Sequence, residues 1–150
     1  MELNWSLMLH NLYHLAIAYA LALPIALNRE SSVKSAGLRT FPLVAVASCG
    51  FMLIGIDVLS TTDAESRVIY GIATGIGFIG GGAILKTKGS VSGTATAASI
   101  WNVGAIGVAV AWGKYEIALV LSLLNFVTLS IGKRFKKSLK SSQSNSKTEE

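Results

Sequence analysis

Apolar stretches long enough to cross a bilayer recur along most of this 150-residue chain, and a spanning helix needs roughly 17–25 residues of that kind. Such a chain must satisfy its backbone internally, since hydrocarbon offers no water to bond to. The sequence therefore predicts an all-α, polytopic membrane bundle of about five helices, near residues 7–27, 40–59, 68–85, 95–112 and 115–131. Only 14% of the residues are charged, against about 25% in a soluble domain. Pro24 falls near the end of the first segment, Thr40 suits an N-cap, and Pro42 suits the first turn of the second helix. Residues 1–132 form the membrane domain. The rest, 133–150, is rich in Ser and Lys and is expected to be disordered or to lie on the membrane surface. Ala20-Leu21-Ala22 imitates a signal-cleavage site, but Glu2 is the only charge before it and Arg29 follows it. The first segment is thus expected to stay as a helix.

Lys and Arg set the orientation. With the N-terminus outside and five crossings, the inner segments hold Arg29, Lys34, Arg39, Lys86, Lys88 and the tail cations, eleven of the thirteen basic residues. The outer segments hold Arg67 and Lys114. This asymmetry works only for an odd number of crossings and puts the C-terminus in the cytoplasm. The excess of positive charge flanks apolar segments, so anionic lipid headgroups are the expected partner rather than nucleic acid. Cys49 is the only cysteine, so no internal disulfide is possible, and it is expected to behave as a small buried hydrophobe.

Eleven of fifteen glycines lie between Gly71 and Gly113. Lipid tails supply no hydrophobic drive between helices, so association relies on close backbone approach at small residues. That predicts helix contacts at Gly71, Gly75, Gly77, Gly80, Gly81 and Gly82 on the third helix, and at Ala97, Ala98 and Gly104 on the fourth, with these two helices central. Gly75-Ile-Gly77-Phe-Ile-Gly80 imitates a dinucleotide fingerprint, but it lies mid-membrane with no acid in the following stretch until Glu116. Nucleotide binding is not expected. His10 and His14 have zincin spacing, yet Asn11 stands where the catalytic glutamate belongs. They are expected near the outer membrane face, hydrogen-bonded or wet.

Two charged groups stand out. Arg29, Glu30 and Arg39 are expected to form an ion-paired hub under the inner interface, with Glu30 the only acid there. Asp63 and Arg67 are expected to pair on the outer side. Asp57, Asp63 and Glu65 form an acidic rim with Arg67. Asp63 and Glu65 are the candidates for a magnesium site, because that ion keeps several waters and needs one or two acids. Clustered loop acids are more often simply solvated, and no metal site is expected. The helix interiors offer Thr74, Thr96, Ser99, Asn102 and Asn125, none of which can neutralise a divalent ion alone.

Several motifs stand in order: Asn28-Arg29-Glu30, Lys34-Ser-Ala-Gly37-Leu-Arg39-Thr40, Ser66-Arg67-Val68, the run from Gly75 to Ile84, and Gly93-Thr-Ala-Thr96-Ala97-Ala98-Ser99-Ile100-Trp101. Over about residues 15–129 the chain resembles the membrane domain of the MgtC/SapB family. The resemblance implies a multi-pass protein of the bacterial inner membrane linked to magnesium homeostasis, through a role that is not clearly transport. Some relatives support survival in low magnesium and inhibit the proton-driven ATP synthase. Virulence-type members also carry a soluble C-terminal domain with no counterpart in this sequence. Thr94-Ala95 and Tyr70 depart from the residues expected at those positions.

The resulting expectation is not an enzyme, and no cofactor is expected. It is a bundle that modulates another membrane protein or complex, or associates with itself. The alternative is an oligomeric channel or carrier for magnesium or another cation.

Overall fold

The computed structural model describes residues 4–30, 36–87 and 89–145, with side chains through Lys133. Five helices carry the fold: α1 (Trp5–Glu30), α2 (Thr40–Val58), α3 (Thr62–Gly82), α4 (Thr94–Ala111) and α5 (Tyr115–Asn145). Four of them, all but α3, are long and apolar enough to cross a membrane. The chain is an all-α membrane bundle.

Helix α4 is its axis and packs on α1, α2, α3 and α5. Its buried face runs through Thr96, Ser99, Ile100, Val103, Ile106 and Val110, positions three and four apart as a helical stripe requires. Across from it, α1 buries Ala18, Ala22, Ile25 and Ala26, and α2 buries Phe41, Ala45, Cys49 and Met52. Small residues bring α2 and α4 together: a Cβ on Gly107 would meet Ala45 O and stand 2.9 Å from Cys49 N.

Helix α3 starts earlier than the sequence suggested. Apolar periodicity begins near Val68, but Thr61 caps the helix by accepting the Ala64 N–H at 3.3 Å, and Asp63 and Glu65 in the first turn suit the positive end of its dipole. Charge had hidden the helical start. Thr40 likewise proves to be the first residue of α2 and not its cap: Arg39 holds the cap position with no side-chain hydrogen bond.

Two short strands connect α3 and α4. β1 (Leu85–Thr87) and β2 (Ser90–Ser92) pair antiparallel, with Lys86 opposite Val91. Gly89 at φ +83° allows the tight reversal. Gly93 at φ +85° starts α4 where any Cβ would collide with Ala83 O, so the residue is required twice over. Lys34 and Lys88, both counted on the inner side, lie outside the described residues.

Between α4 and α5, Gly113 at φ +67° ends one helix, and Lys114 N–H bonds back to Ala109 O. The backbone of α5 then continues to Asn145, well past the end expected near residue 131. No Gly or Pro follows Gly132 to stop it. The boundary drawn at 132 therefore falls inside α5.

Candidate functional site

Hydrocarbon strengthens the need to satisfy every polar group, so the polar side chains of the interior indicate where the bundle is specified. Apart from Ser48, which bonds to Val44 O within α2, they gather in one seam between α1, α4 and α5. At one end His14 is buried. Its Nδ1–H donates to His10 O at 2.9 Å, so Nε2 is left as the acceptor for the Tyr115 hydroxyl at 3.0 Å. Further along, Ser122 Oγ donates to Leu21 O at 2.6 Å, and the Asn102 amide donates to Leu121 O at 3.2 Å. Ser99 Oγ lies 2.8 Å from Ala95 O and 2.9 Å from the Asn125 side-chain amide. A hydroxyl has one proton. Turning the Asn125 amide over lets its NH2 donate to Ser99 while Ser99 donates to Ala95 O, which also satisfies the amide nitrogen left without a partner otherwise.

The other end of the seam is cationic. Arg29 donates to the Thr96 hydroxyl, and Lys133 donates to Asn28 O. The Asn28 amide donates to Ser130 Oγ at 2.8 Å, and Ser130 in turn donates to Phe126 O.

The expected hub of Arg29, Glu30 and Arg39 is not assembled: these three form no ion pair with one another. Arg29 turns inward to α4. Glu30 stays at the surface, where its Oε2 accepts the Leu38 N–H at 2.8 Å, held over Gly37, whose missing Cβ makes room for it. Arg39 stands at the start of α2, exposed. A helix end offered the carboxylate a nearer backbone donor than either guanidinium. Asp63 and Arg67 do pair, at 3.1 Å, one turn apart on α3 and largely exposed. Such a pair is worth about 0–1 kcal/mol. Glu65 lies half-buried in the same turn. Among the described residues no group of three His, Cys, Asp or Glu is gathered closely enough to hold a metal ion.

The small residues divide sharply. Gly80, Ala97 and Gly104 make close contacts: a Cβ on Gly80 would stand 3.1 Å from Ala97 O, and one on Gly104 would meet Ile76. Gly71, Gly75, Gly77, Gly81 and Gly82 would meet nothing within 4 Å, and Ala98 is exposed. Helix α3 is therefore peripheral rather than central. It buries only Ile76 and Gly80, and it turns a strip of Tyr70, Thr74, Gly77, Phe78 and Gly81 away from the chain.

Composition could not find the seam. Thr96, Ser99, Asn102 and Asn125 were visible as interior polar residues. Tyr115, Ser122, Ser130 and Lys133, which bond to His14, Leu21 and Asn28 on α1, carry no motif and are recognisable only once α5 lies against α1.

The sequence profile of the MgtC family matches residues 15–138, a stretch that contains every contact of the seam except those of His14. The chain belongs to the MgtC family. It is 36% identical over 138 residues to Protein SrpB of Synechococcus elongatus, covering 83% of this chain and 76% of that one. YhiD of Escherichia coli K12, whose name describes it as a candidate magnesium transporter, is 36% identical over 114 residues, 71% of this chain and 53% of YhiD. Protein MgtC of Salmonella typhimurium 14028s is 33% identical over 118 residues, 79% of this chain and 50% of that protein. This MgtC-family chain thus spans about half the length of YhiD and MgtC. No solved structure matches it.

Proposed function

We propose that this protein acts in magnesium homeostasis at the bacterial inner membrane by docking against another membrane protein and modulating it. The observation that carries this reading is the outward strip of α3. Gly77 and Gly81 lie four apart on a face that contacts nothing among the described residues, alongside Tyr70 at 75% and Phe78 at 86% exposure. Small residues at that spacing let a second helix approach backbone to backbone, and flanking aromatics supply contact area. The link to magnesium comes from the family and from the name of YhiD. The seam supports modulation over transport: Arg29 and Lys133 crowd its inner end, and two cations repel a divalent ion entering by that route.

A photo-crosslinking residue placed at position 77 or 81 is expected to join the protein to a partner in cells starved of magnesium. The same residue at Leu9 or Leu119, exposed on other helices, is expected not to. Purified protein in vesicles is expected to move no magnesium. One observation favours a channel instead, namely that Asp63 stands exposed beside Glu65 on α3. In an oligomer these could form a carboxylate ring. Magnesium uptake into vesicles holding only this protein, abolished by Asp63→Asn, overturns the modulator reading in favour of that ring.

A further inference from the structure

We propose that the wedge between α2 and α3 binds an anionic phospholipid, with an acyl chain in the wedge and the headgroup phosphate against Arg39. This inference uses a different face of α3 from the partner strip and stands independently of it. The two helices touch at one end, where a Cβ on Gly55 would lie 3.2 Å from Val68 Cγ2. Toward the start of α2 they diverge and leave a cavity of about 710 Å³. Leu43, Phe51, Val68, Ile72 and Ile79 line it, so its walls are hydrocarbon. Gly71 and Gly75 also line it, and with no side chain on either the cavity keeps its width.

Length and depth decide what fits. From Val68 to Ile79 the wedge runs about 16 Å at the helical rise of 1.5 Å per residue. Half of a bilayer's hydrocarbon core is about 15 Å thick. The cavity therefore has the reach of one acyl chain descending from one leaflet. A second helix, about 10 Å across, needs parallel walls, and this cavity tapers shut at Gly55.

The open end carries the charge. The apolar span of α2 begins at Thr40, so Arg39 stands at headgroup depth at the mouth of the wedge. Arg39 and Thr40 both line the cavity. Among the described residues, neither the Arg39 guanidinium nor the Thr40 hydroxyl has a hydrogen bond or ion pair, and Glu30 accepts the Leu38 N–H rather than pairing with Arg39. The α2 N-terminus adds its partial positive charge at the same spot. A guanidinium, a hydroxyl and a helix start above a greasy slot match a phosphate diester attached to an acyl chain. A zwitterionic headgroup brings its own cation to the same place and loses part of that attraction.

Native mass spectrometry of the detergent-purified full chain, titrated with dioleoyl phosphatidylglycerol or dioleoyl phosphatidylcholine, tests this. The expected result is one lipid bound with a preference of roughly fivefold or more for phosphatidylglycerol, the gain typical of one basic side chain at a membrane surface. Arg39→Gln should erase the preference while elution and helicity stay as in the parent, since the residue is exposed. Lys86→Gln, an exposed cation away from the wedge, should leave it intact. Gly71→Leu with Gly75→Leu should fill the slot and reduce binding of both lipids. Equal affinity for the two lipids overturns the proposal. So does a preference that survives Arg39→Gln or falls equally with Lys86→Gln. A glycine double variant that changes the oligomeric state and leaves lipid binding untouched assigns the wedge to a second copy of the chain, and also overturns it.

Discussion

At the scale of single residues, the meaning of a glycine depends on what its missing side chain would meet. Gly107 and Gly77 are alike in sequence and opposite in place. A side chain at 107 would run into the α2 backbone at Ala45 and Cys49, whereas one at 77 would enter open space. Gly107→Leu is expected to cost at least the roughly 1–3 kcal/mol typical of overpacking, and in practice to abolish recovery of monodisperse protein, because backbone cannot swing aside. Gly77→Leu is expected to purify and melt like the parent while losing its crosslinked partner. Size-exclusion elution reads the first, and a melting curve in detergent together with crosslinking from position 81 reads the second. The buried histidine gives a second case. Tyr115→Phe leaves His14 Nε2 with no donor, a buried loss of about 1–3 kcal/mol, seen as a lower melting temperature with unchanged helicity.

At the scale of elements, hydropathy located α1, α2, α4 and α5 with boundaries shifted by a few residues, except at the end of α5, which runs on to Asn145. It failed where polarity and helix coincide, at the start of α3. Glycine richness marked α3 and α4 as helices that approach something closely. It could not say on which face, because a run with glycine at Gly71, Gly75, Gly77 and Gly80 to Gly82 presents small residues all round the helix. Only Gly80 is turned to α4. The hub failed for a related reason: sequence proximity put Glu30 beside two arginines, but the chain turning at Gly37 put Leu38 N–H nearer. Glu30→Ala is accordingly expected to loosen the α1–α2 connection by roughly 1 kcal/mol, the worth of one hydrogen bond. Glu65→Ala is expected to change stability by a few tenths to about 1 kcal/mol, the dipole effect at an exposed helix start. Arg29→Ala is expected to exceed both, at about 1.5–3 kcal/mol for a lost charge-assisted bond. Urea titration of the three variants in matched detergent orders them.

For the whole molecule, the course of α3 bears on topology. Composition alone would leave α3 out of the spanning set. Yet its Val68 end lies beside Gly55, late in α2, and its Ile79 end shares a cavity with Thr40, early in α2. It therefore traverses the same depth as α2 in the opposite sense. Five traverses place the termini on opposite sides, as the distribution of Lys and Arg requires. A reporter enzyme active only outside the cytoplasm is expected to work when fused after Asp63 and to fail when fused after Lys140. The reverse pattern would refute the orientation.

The seam also sets an order of events during synthesis. Asn28 and Ser130 stand 102 positions apart, Lys133 reaches Asn28 across 105, and Tyr115 closes on His14 across 101. The first helix therefore enters the bilayer before Tyr115, Ser130 and Lys133, which bond to its His14 and Asn28, have been translated. Until the fifth helix arrives, those groups must be sheltered by water, by the insertion machinery or by a membrane chaperone. The last helix to be made thus completes the hydrogen bonding of the first.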